Sequence, residues 1–162
     1  NYNFPANIKL IVCNNPKAKG IIHAKRNSIP YLIINTKKRN YEHIILGEIK
    51  KYNISLICLA GYMKIISKKF INNYGKKIIN VHPSLLPKFK GLNTFERVLK
   101  NEEKKTGCTV HFVNEKLDSG KIIIQKEFFL NKHDNVKVLR EKTQKLEYRA
   151  YSEAIVRIYR YN

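Results

Sequence analysis

Short apolar runs alternate along this chain with longer segments in which apolar residues recur every three or four positions. The first pattern predicts β-strands and the second predicts α-helices. The predicted strands are Asn7–Cys13, Tyr31–Ile34, Ile54–Ala60, a strand through Ile78–Ile79 that ends at Val81 or His82, Thr109–Val113 and Ile122–Leu130. The predicted helices run from Asn14 to about Arg26, from Lys37 to Tyr52, from Ser67 to Tyr74, over Asn93–Glu103 and along Leu139–Ile158.

Capping residues mark the ends of two of these helices. Ser67 is expected to cap the start of its helix and Gly75 to close it, because a short hydroxyl side chain and a glycine suit these two positions. Asp134 stands near the start of the last helix and is expected to cap it. That helix carries an apolar stripe of Leu139, Thr143, Leu146, Ala150, Ala154 and Ile158, which is expected to face the core.

The order of these elements predicts an α/β fold with a mostly parallel sheet and helices on both faces. Ile54–Ala60 is almost wholly apolar and is expected to be a central strand covered on both faces. The loop Asn114–Gly120 is too short for a crossover, so the two strands that flank it are expected to form an antiparallel C-terminal pair. The 162 residues contain no repeat or linker and are predicted to form one catalytic domain, 1–162.

Composition limits the functional classes. No apolar run approaches the roughly 18 residues of a membrane helix, and no secretory leader is recognisable, so no membrane role is expected. Cys13, Cys58 and Cys108 are odd in number and lie in apolar runs without a CxxC spacing. They are expected to be buried free thiols in a reducing cytoplasm.

The formal net charge of +20 has two interpretations. It is compatible with a polyanionic partner such as tRNA. It is also what the joint abundance of Lys, Asn, Ile and Tyr gives in a protein from an A/T-rich genome. The lysines are scattered and no aromatic RNA-binding pattern accompanies them, so a nucleic-acid partner is not expected.

Candidate chemistry is concentrated in Lys77–Gly91, where polar residues follow a buried strand. Asn80, His82 and Ser84 stand at alternate positions, and Pro83 removes a backbone donor and ends the strand. The carboxyl end of a buried strand is where open α/β sheets place their active sites. Ser84 lacks the surroundings of a nucleophilic serine and is interpreted as structural, bonding the turn backbone.

Asp118 completes a possible constellation with Asn80 and His82. An amide suits a developing oxyanion, and a histidine beside a carboxylate suits proton transfer near neutral pH. Without a nucleophile in register, these groups favour direct acyl transfer between two bound substrates. The alternative is that His82 is a structural histidine and Asp118 a turn residue. His111 is interpreted as part of the sheet, and no metal-ligand spacing stands out.

The stretches INVHPSLLPKFKGLNTFE and GCTVHFVNEKLDSGKIIIQ, together with LAGYMKIIS at Leu59–Ser67, resemble the folate-dependent formyltransferases, specifically the branch that formylates phosphoribosylglycinamide in purine synthesis. The resemblance implies a Rossmann-like formyltransferase fold and a cytoplasmic enzyme, monomeric or homodimeric. It implies phosphoribosylglycinamide and 10-formyltetrahydrofolate as substrates, without a metal. It also implies a cis peptide bond between Leu86 and Pro87.

Residue roles are likewise implied by the resemblance. Asn80, His82 and Asp118 correspond to the catalytic amide, the general acid and the carboxylate that raises the histidine pKa. The positions that match folate contacts are Lys38, Met63, Lys64, Ile65, Ile66, Asn80, Asn114 and Glu115, with Asn114–Asp118 closing over the pterin. The positions that match contacts with the glycinamide substrate are Gly61, Gln144 and Glu147.

Two relatives remain as alternatives. Methionyl-tRNA formyltransferases usually have Gly-Ala-Ala-Pro where this chain has Gly91–Thr94, and formyltetrahydrofolate deformylases usually have a histidine where Pro83 stands. The family's first strand and its Gly/Asn/Ser phosphate loop have no match here, and Lys38 replaces the usual folate-contacting arginine. An inactive or partial protein that keeps the fold is therefore a third alternative.

Overall fold

A computed structural model describes residues 4–160. Its elements in chain order are β1 (Ile11–Cys13), α1 (Lys19–Arg26), β2 (Tyr31–Ile33), α2 (Tyr41–Lys51), β3 (Leu56–Leu59), α3 (Lys68–Tyr74), β4 (Lys77–His82), α4 (Thr94–Lys100), β5 (Lys105–Phe112), β6 (Ile122–Phe129) and α5 (Val136–Arg160). Every predicted strand and helix is present, with the ends shifted by a few residues. The outermost residues of the predicted domain, 1–3 and 161–162, lie outside the described residues.

The described chain divides into two compact units. The small unit comprises residues 6–55 and 67–76, and the large unit comprises residues 4–5, 56–66 and 77–160. None of the helices between residues 4 and 160 combines the length and the apolar character that a membrane crossing requires.

The small unit contains β1 and β2, which pair in parallel from Ile11 opposite Tyr31 onwards. Its α3 begins and ends as predicted, because the Ser67 hydroxyl accepts a hydrogen bond from the Phe70 N–H at 3.0 Å and Gly75 adopts a left-handed φ of 65°. Glu42 of α2 accepts further hydrogen bonds from the Ser67 N–H and hydroxyl. The capping serine thus also ties α3 to α2.

The large unit contains a four-stranded sheet in the order β3-β4-β5-β6. β3 and β4 are parallel, whereas β4–β5 and β5–β6 are antiparallel. The α/β class and the antiparallel C-terminal pair are confirmed, whereas the strand pairing is mixed rather than mostly parallel, with β1–β2 and β3–β4 parallel and the other two pairings antiparallel. β3 forms an edge of this sheet rather than its centre. β5 begins at Lys105, four residues before the predicted Thr109, because its buried start includes Thr106 and Gly107, which carry no apolar signal.

The core of the large unit lies between α5 and the strands β4, β5 and β6. It is built from Ile79, Cys108, Val110, Ile124, Ala150, Ala154 and Ile158. The predicted stripe of α5 is buried except for Leu146, which is half-buried. The predicted cap was wrong by one residue: Asn135 accepts from the Val138 N–H, whereas Asp134 accepts from the Asn131 N–H and pairs with Lys142.

The cysteines differ in burial. All three are free, but only Cys108 is buried; Cys13 is half-buried and Cys58 is exposed. The expectation of three buried thiols therefore holds for Cys108 alone. Cys58 lies on β3, and the position of this strand at the edge of the sheet leaves its side chain less covered than a central strand would.

Gly107 permits the close approach of β5 and β6. A Cβ at this position would overlap the backbone of Lys126 and Glu127. We expect Gly107→Ala to lower the free energy of unfolding by about 1–3 kcal/mol, because the two strands must separate to admit the methyl group. Urea unfolding followed by circular dichroism measures the change.

Gly47 provides the matched control. It lies inside α2, where an added Cβ meets no atom within 4 Å. Gly47→Ala is expected to raise the stability by about 0.5–1 kcal/mol, since alanine loses less backbone entropy in a helix. Equal changes for the two substitutions would show that the space between β5 and β6 does not limit position 107.

Candidate active site

The candidate site lies where β4 ends. The antiparallel register sets Asn80 directly opposite His111 of β5, and His82 opposite Thr109. Opposed residues of an antiparallel pair project to the same face, and alternate residues of one strand share a face. Asn80, His82 and His111 therefore lie on one side of the sheet.

Asp118 lies between the two histidines. Its Oδ2 is 3.3 Å from His82 Nδ1, and its Oδ1 is 3.6 Å from His111 Nε2. The side chains of His82, Asp118 and His111 are only 6%, 7% and 3% exposed. A buried carboxylate needs compensating donors, and the Gly91 N–H supplies one to Oδ2 at 2.9 Å. The structure thus brings together the three side chains predicted from the sequence and adds His111.

The other ring nitrogen of His82 lies 2.8 Å from the carbonyl oxygen of Phe89. Burial has the largest effect on His82 and lowers its pKa below the ordinary value, while the Phe89 carbonyl and the Asp118 charge both act to raise it. The charges of His111 and Arg97 add to the lowering. Asp118 acts on His82 in the expected direction, since its charge raises the pKa, while burial has the larger and opposite effect.

For Asp118, the effects of hydrogen bonds and nearby charges on the pKa outweigh the effect of burial. Burial alone would raise its pKa, but hydrogen bonds from His111 and the Gly91 N–H, together with the charges of His82 and His111, hold the pKa below its usual range. Asp118 is therefore ionised at neutral pH. Its negative charge faces His82 Nδ1 and is available to stabilise a proton on that nitrogen.

His111 is the site residue that sequence reasoning missed. It lies within β5, where a buried histidine is indistinguishable by pattern from other residues of the sheet. Its position opposite Asn80 follows from the β4–β5 register. That register cannot be obtained from the sequence when the two strands are separated by a helix and long loops. A histidine two residues after Thr109 in an otherwise apolar strand was the only available signal.

The loop after β4 is fixed by a buried hydrogen-bond network. The Thr109 hydroxyl donates to the Ser84 carbonyl at 2.7 Å and accepts from the Leu86 N–H at 3.0 Å. The Gln125 amide donates to Thr109 Oγ1 at 2.8 Å and to the Leu86 carbonyl at 2.9 Å. Ser84 itself donates to the Lys88 carbonyl at 2.7 Å, which confirms its structural interpretation.

The expected cis peptide bond is present between Leu86 and Pro87. This bond lies inside the segment that the Thr109 network holds. The segment leads from His82 to Phe89 and Gly91, the two backbone partners of the His82–Asp118 pair. The His82–Asp118 pair is therefore held in position both by β4 and by the loop that follows it.

Tyr151 of α5 ties the strand ends together. Its hydroxyl lies 2.7 Å from the Leu59 carbonyl and 3.0 Å from the Ile79 carbonyl. Leu59 is the last residue of β3, and Ile79 directly precedes Asn80 within β4. α5 therefore packs in the core and also holds the two strands that carry the candidate site.

The predicted folate positions of the large unit lie in two loops. Met63 and Ile65 follow β3 and are 75% and 71% exposed, which is unusual for side chains of this size. This loop leaves the sheet beside Asn80, because Leu59 pairs with Asn80, and Gly61 gives it a left-handed turn with a φ of 65°. Lys64 and Ile66 belong to the same loop, and Asn114 and Glu115 lie between β5 and β6 in the segment that carries Asp118.

The remaining predicted positions lie on other elements. Gln144 and Glu147 are on α5, where Gln144 is exposed and burial raises the pKa of the half-buried Glu147. Lys38 is exposed and lies in the small unit, between β2 and α2. Between residues 4 and 160, no three His, Cys, Asp or Glu side chains are grouped as metal ligands would be.

A half-buried Asn80 beside the buried His82–Asp118 pair, at the end of a strand and next to an exposed apolar loop, suits acyl transfer within a Rossmann-like α/β fold. The family description "Formyl transferase" matches residues 1–155. The chain belongs to this formyl transferase family and is an enzyme of formyl transfer.

Known relatives agree with that assignment. The phosphoribosylglycinamide formyltransferase of Bacillus subtilis (strain 168) is 37% identical over 157 residues, which are 94% of this chain and 80% of that protein. The trifunctional purine biosynthetic protein adenosine-3 of Gallus gallus is 38% identical over 154 residues, 93% of this chain but only 15% of that longer protein. The crystal structure of phosphoribosylglycinamide formyltransferase from Bacillus halodurans has a TM-score of 0.90 at 32% identity, covering 96% of this chain and 82% of that one.

The Thr109 network yields a stability prediction. Thr109→Val removes the hydroxyl and leaves the Leu86 N–H and the Ser84 carbonyl without this partner in a buried position. We expect a loss of about 1–3 kcal/mol in the free energy of unfolding. Thr109→Ser keeps the hydroxyl and is the control. A valine variant as stable in urea as the serine variant would contradict the importance of the network.

Proposed function

We propose that this chain transfers the formyl group of 10-formyltetrahydrofolate to the amine of phosphoribosylglycinamide, a reaction of purine biosynthesis. The observation that carries the proposal is the buried His82–Asp118 pair beside Asn80 at the end of β4. Family membership supplies the reaction class, and the relatives named above supply the glycinamide substrate.

Asn80 and His82 act at the reacting carbon. As the amine nitrogen bonds to the formyl carbon, negative charge develops on the formyl oxygen, and an N–H of the Asn80 amide and the protonated His82 ring stabilise it. The bond from the carbon to the folate nitrogen then breaks, and the proton lost by the amine is transferred to that nitrogen through His82 or a water. Asp118 stabilises the protonated His82 ring while it holds this proton.

His82 has an acceptor at each ring nitrogen, and burial acts to lower its pKa while the Asp118 charge acts to raise it. In the structure its Nε2 faces the Phe89 carbonyl and its Nδ1 faces Asp118. To reach the substrates, His82 Nε2 gives up its contact with the Phe89 carbonyl and contacts a substrate instead. The contact between Nδ1 and Asp118 is kept, because it stabilises the charged form of the ring. This assigns Phe89 the part of a resting partner for His82.

The exposed loop after β3 fits a folate. Met63 and Ile65 offer apolar surface to the pterin ring, with backbone groups of Lys64 and Ile66 for its polar edge. Asn114 and Glu115 contribute from the loop that carries Asp118. Lys38 is assigned the folate's negatively charged end, where it provides charge without the planar fork of an arginine.

The second substrate, phosphoribosylglycinamide, is assigned to Gly61, Gln144 and Glu147.

The free thiols of Cys13, Cys58 and Cys108 suit a reducing compartment, so the enzyme is proposed to act in the cytoplasm. Residues 1–162 are proposed to serve as a single catalytic domain. The exclusion of a nucleic-acid partner and the choice between monomer and homodimer stay predictions.

His82→Ala tests the proposal. In the full-length protein, assayed for formyl transfer from 10-formyltetrahydrofolate to phosphoribosylglycinamide, we expect kcat to fall about 10²- to 10³-fold, equivalent to about 2.7–4 kcal/mol. The fall reflects the loss of the proton-transferring group, while binding of both substrates persists.

His133→Ala is the control, because His133 is an exposed histidine of the same unit and outside the site. Its activity should equal that of the unsubstituted protein. Equal activity of the His82 and His133 variants would refute the assignment of His82, and an unsubstituted protein inactive with this pair of substrates would refute the proposed reaction.

A further inference from the structure

We propose that Arg97 is a positioning residue whose guanidinium holds the loop between β4 and α4 in its active shape. This loop supplies two backbone groups to the His82–Asp118 pair, the Phe89 carbonyl and the Gly91 N–H. The inference rests on the proposed function, because that pair is assigned to proton transfer. It gives a role to a side chain outside the reacting centre that neither the sequence pattern nor the family resemblance singled out.

The backbone of this loop is irregular. Phe89, Gly91 and Asn93 adopt left-handed φ values of 57°, 79° and 53°. A left-handed conformation suits glycine and is tolerated by asparagine, but it is unfavourable for a large aromatic residue. Phe89 therefore depends on contacts with its surroundings to keep its carbonyl directed at His82.

Arg97 makes contacts along most of the loop. Its Nη1 donates to the Lys90 carbonyl at 2.6 Å and to the Leu92 carbonyl at 3.4 Å. Its backbone N–H donates to the Asn93 carbonyl at 3.1 Å. The guanidinium also lies over the Phe89 ring, 5.5 Å from the ring centroid. One residue thus contacts the loop on both sides of Gly91.

α4 gives Arg97 a fixed base. The Gly91 carbonyl accepts a hydrogen bond from the hydroxyl of Thr94, the first residue of this helix, at 3.2 Å. Thr94 is 5% exposed and Val98, in the next turn, is 0% exposed. Because the helix is anchored in the interior, the position of the Arg97 guanidinium is set by the fold and the loop follows it.

The charge of Arg97 does not account for its position. Burial has the largest effect on the pKa of His82 and lowers it; the Phe89 carbonyl and Asp118 raise it, whereas the charges of His111 and Arg97 lower it. The charge of Arg97 therefore opposes the protonated ring that stabilises the oxyanion. The Phe89 carbonyl, which Arg97 helps to hold, favours that ring. A role through charge and a role through the loop thus predict opposite effects when Arg97 is replaced.

Arg97→Met tests the two roles. The substitution removes the charge and the donors of an exposed side chain. We expect kcat to fall about tenfold, with KM for each substrate within about threefold, because the backbone partners of His82 and Asp118 lose their positions. An unchanged or higher kcat would overturn the inference. Lys100→Met, which removes an exposed cation from the same helix, is the control and should leave kcat unchanged.

Arg97→Lys separates the donated hydrogen bonds from the charge. Lysine keeps the charge and can donate to a loop carbonyl, but it lacks the planar fork of arginine. We expect kcat to lie between those of Arg97→Met and the unsubstituted protein. Because a positive charge here opposes protonation of His82, this recovery reflects the restored donor. A lysine variant no faster than the methionine variant would contradict the inference.

Amide hydrogen exchange, followed by NMR, tests the same contacts independently of activity. The Gly91 N–H donates to Asp118 Oδ2 at 2.9 Å and exchanges when the loop opens locally. In Arg97→Met we expect the Gly91 amide to exchange about tenfold faster. The Val113 amide, which donates to the Ile78 carbonyl at 2.8 Å, should keep its rate.

The exchange rates also distinguish a local role from a general loss of stability. Unchanged exchange of Gly91, or equal acceleration of Gly91 and Val113, would overturn the inference even in an active enzyme. Circular dichroism and thermal unfolding verify that the variants are folded. Failure of formyl transfer in the unsubstituted protein would count against the proposed reaction, whereas the exchange of Gly91 would still decide the role of Arg97.

Discussion

The site depends on one buried negative charge shared by two histidines. The Asp118 carboxylate faces His82 on one side and His111 on the other, and all three side chains are more than nine-tenths buried. A buried charge is costly unless it is paired and hydrogen-bonded, so the surroundings must hold both histidines within reach. The Gly91 N–H and the ladder between β4 and β5 meet this requirement. The electrostatics of the site are therefore a consequence of strand register.

The supporting structure explains how that register becomes a formyl-transfer site. The antiparallel β4–β5 pairing supplies Asn80, His82 and His111, while the parallel β3–β4 pairing brings the exposed apolar loop after β3 beside them. Thr109 and Gln125 fix the loop that provides backbone partners to His82 and Asp118. Tyr151 joins the end of β3 and the middle of β4 to α5. The hydrophobic core and the chemistry thus use the same strands.

The sequence was sufficient for the parts of this arrangement that depend on local pattern. Apolar periodicity predicted every element, and Ser67 and Gly75 identified the ends of α3. Pro83 predicted the end of β4, and the resemblance to formyltransferases connected Asn80 and His82 to Asp118. The strand register and the burial of individual side chains could not be predicted from the sequence. His111 became a site residue only through its pairing with Asn80, and the net pKa shift of His82 depends on a burial that no local pattern reports.

The central claim is that the Asp118 charge stabilises a proton on His82 against the opposing effect of burial. The most direct test is an NMR titration of the His82 ring in the unsubstituted protein and in Asp118→Asn, which keeps the shape of the side chain and removes its charge. The account predicts a lower pKa for His82 in the asparagine variant, because burial then acts without the carboxylate that opposes it. An unchanged or higher His82 pKa in Asp118→Asn would contradict it.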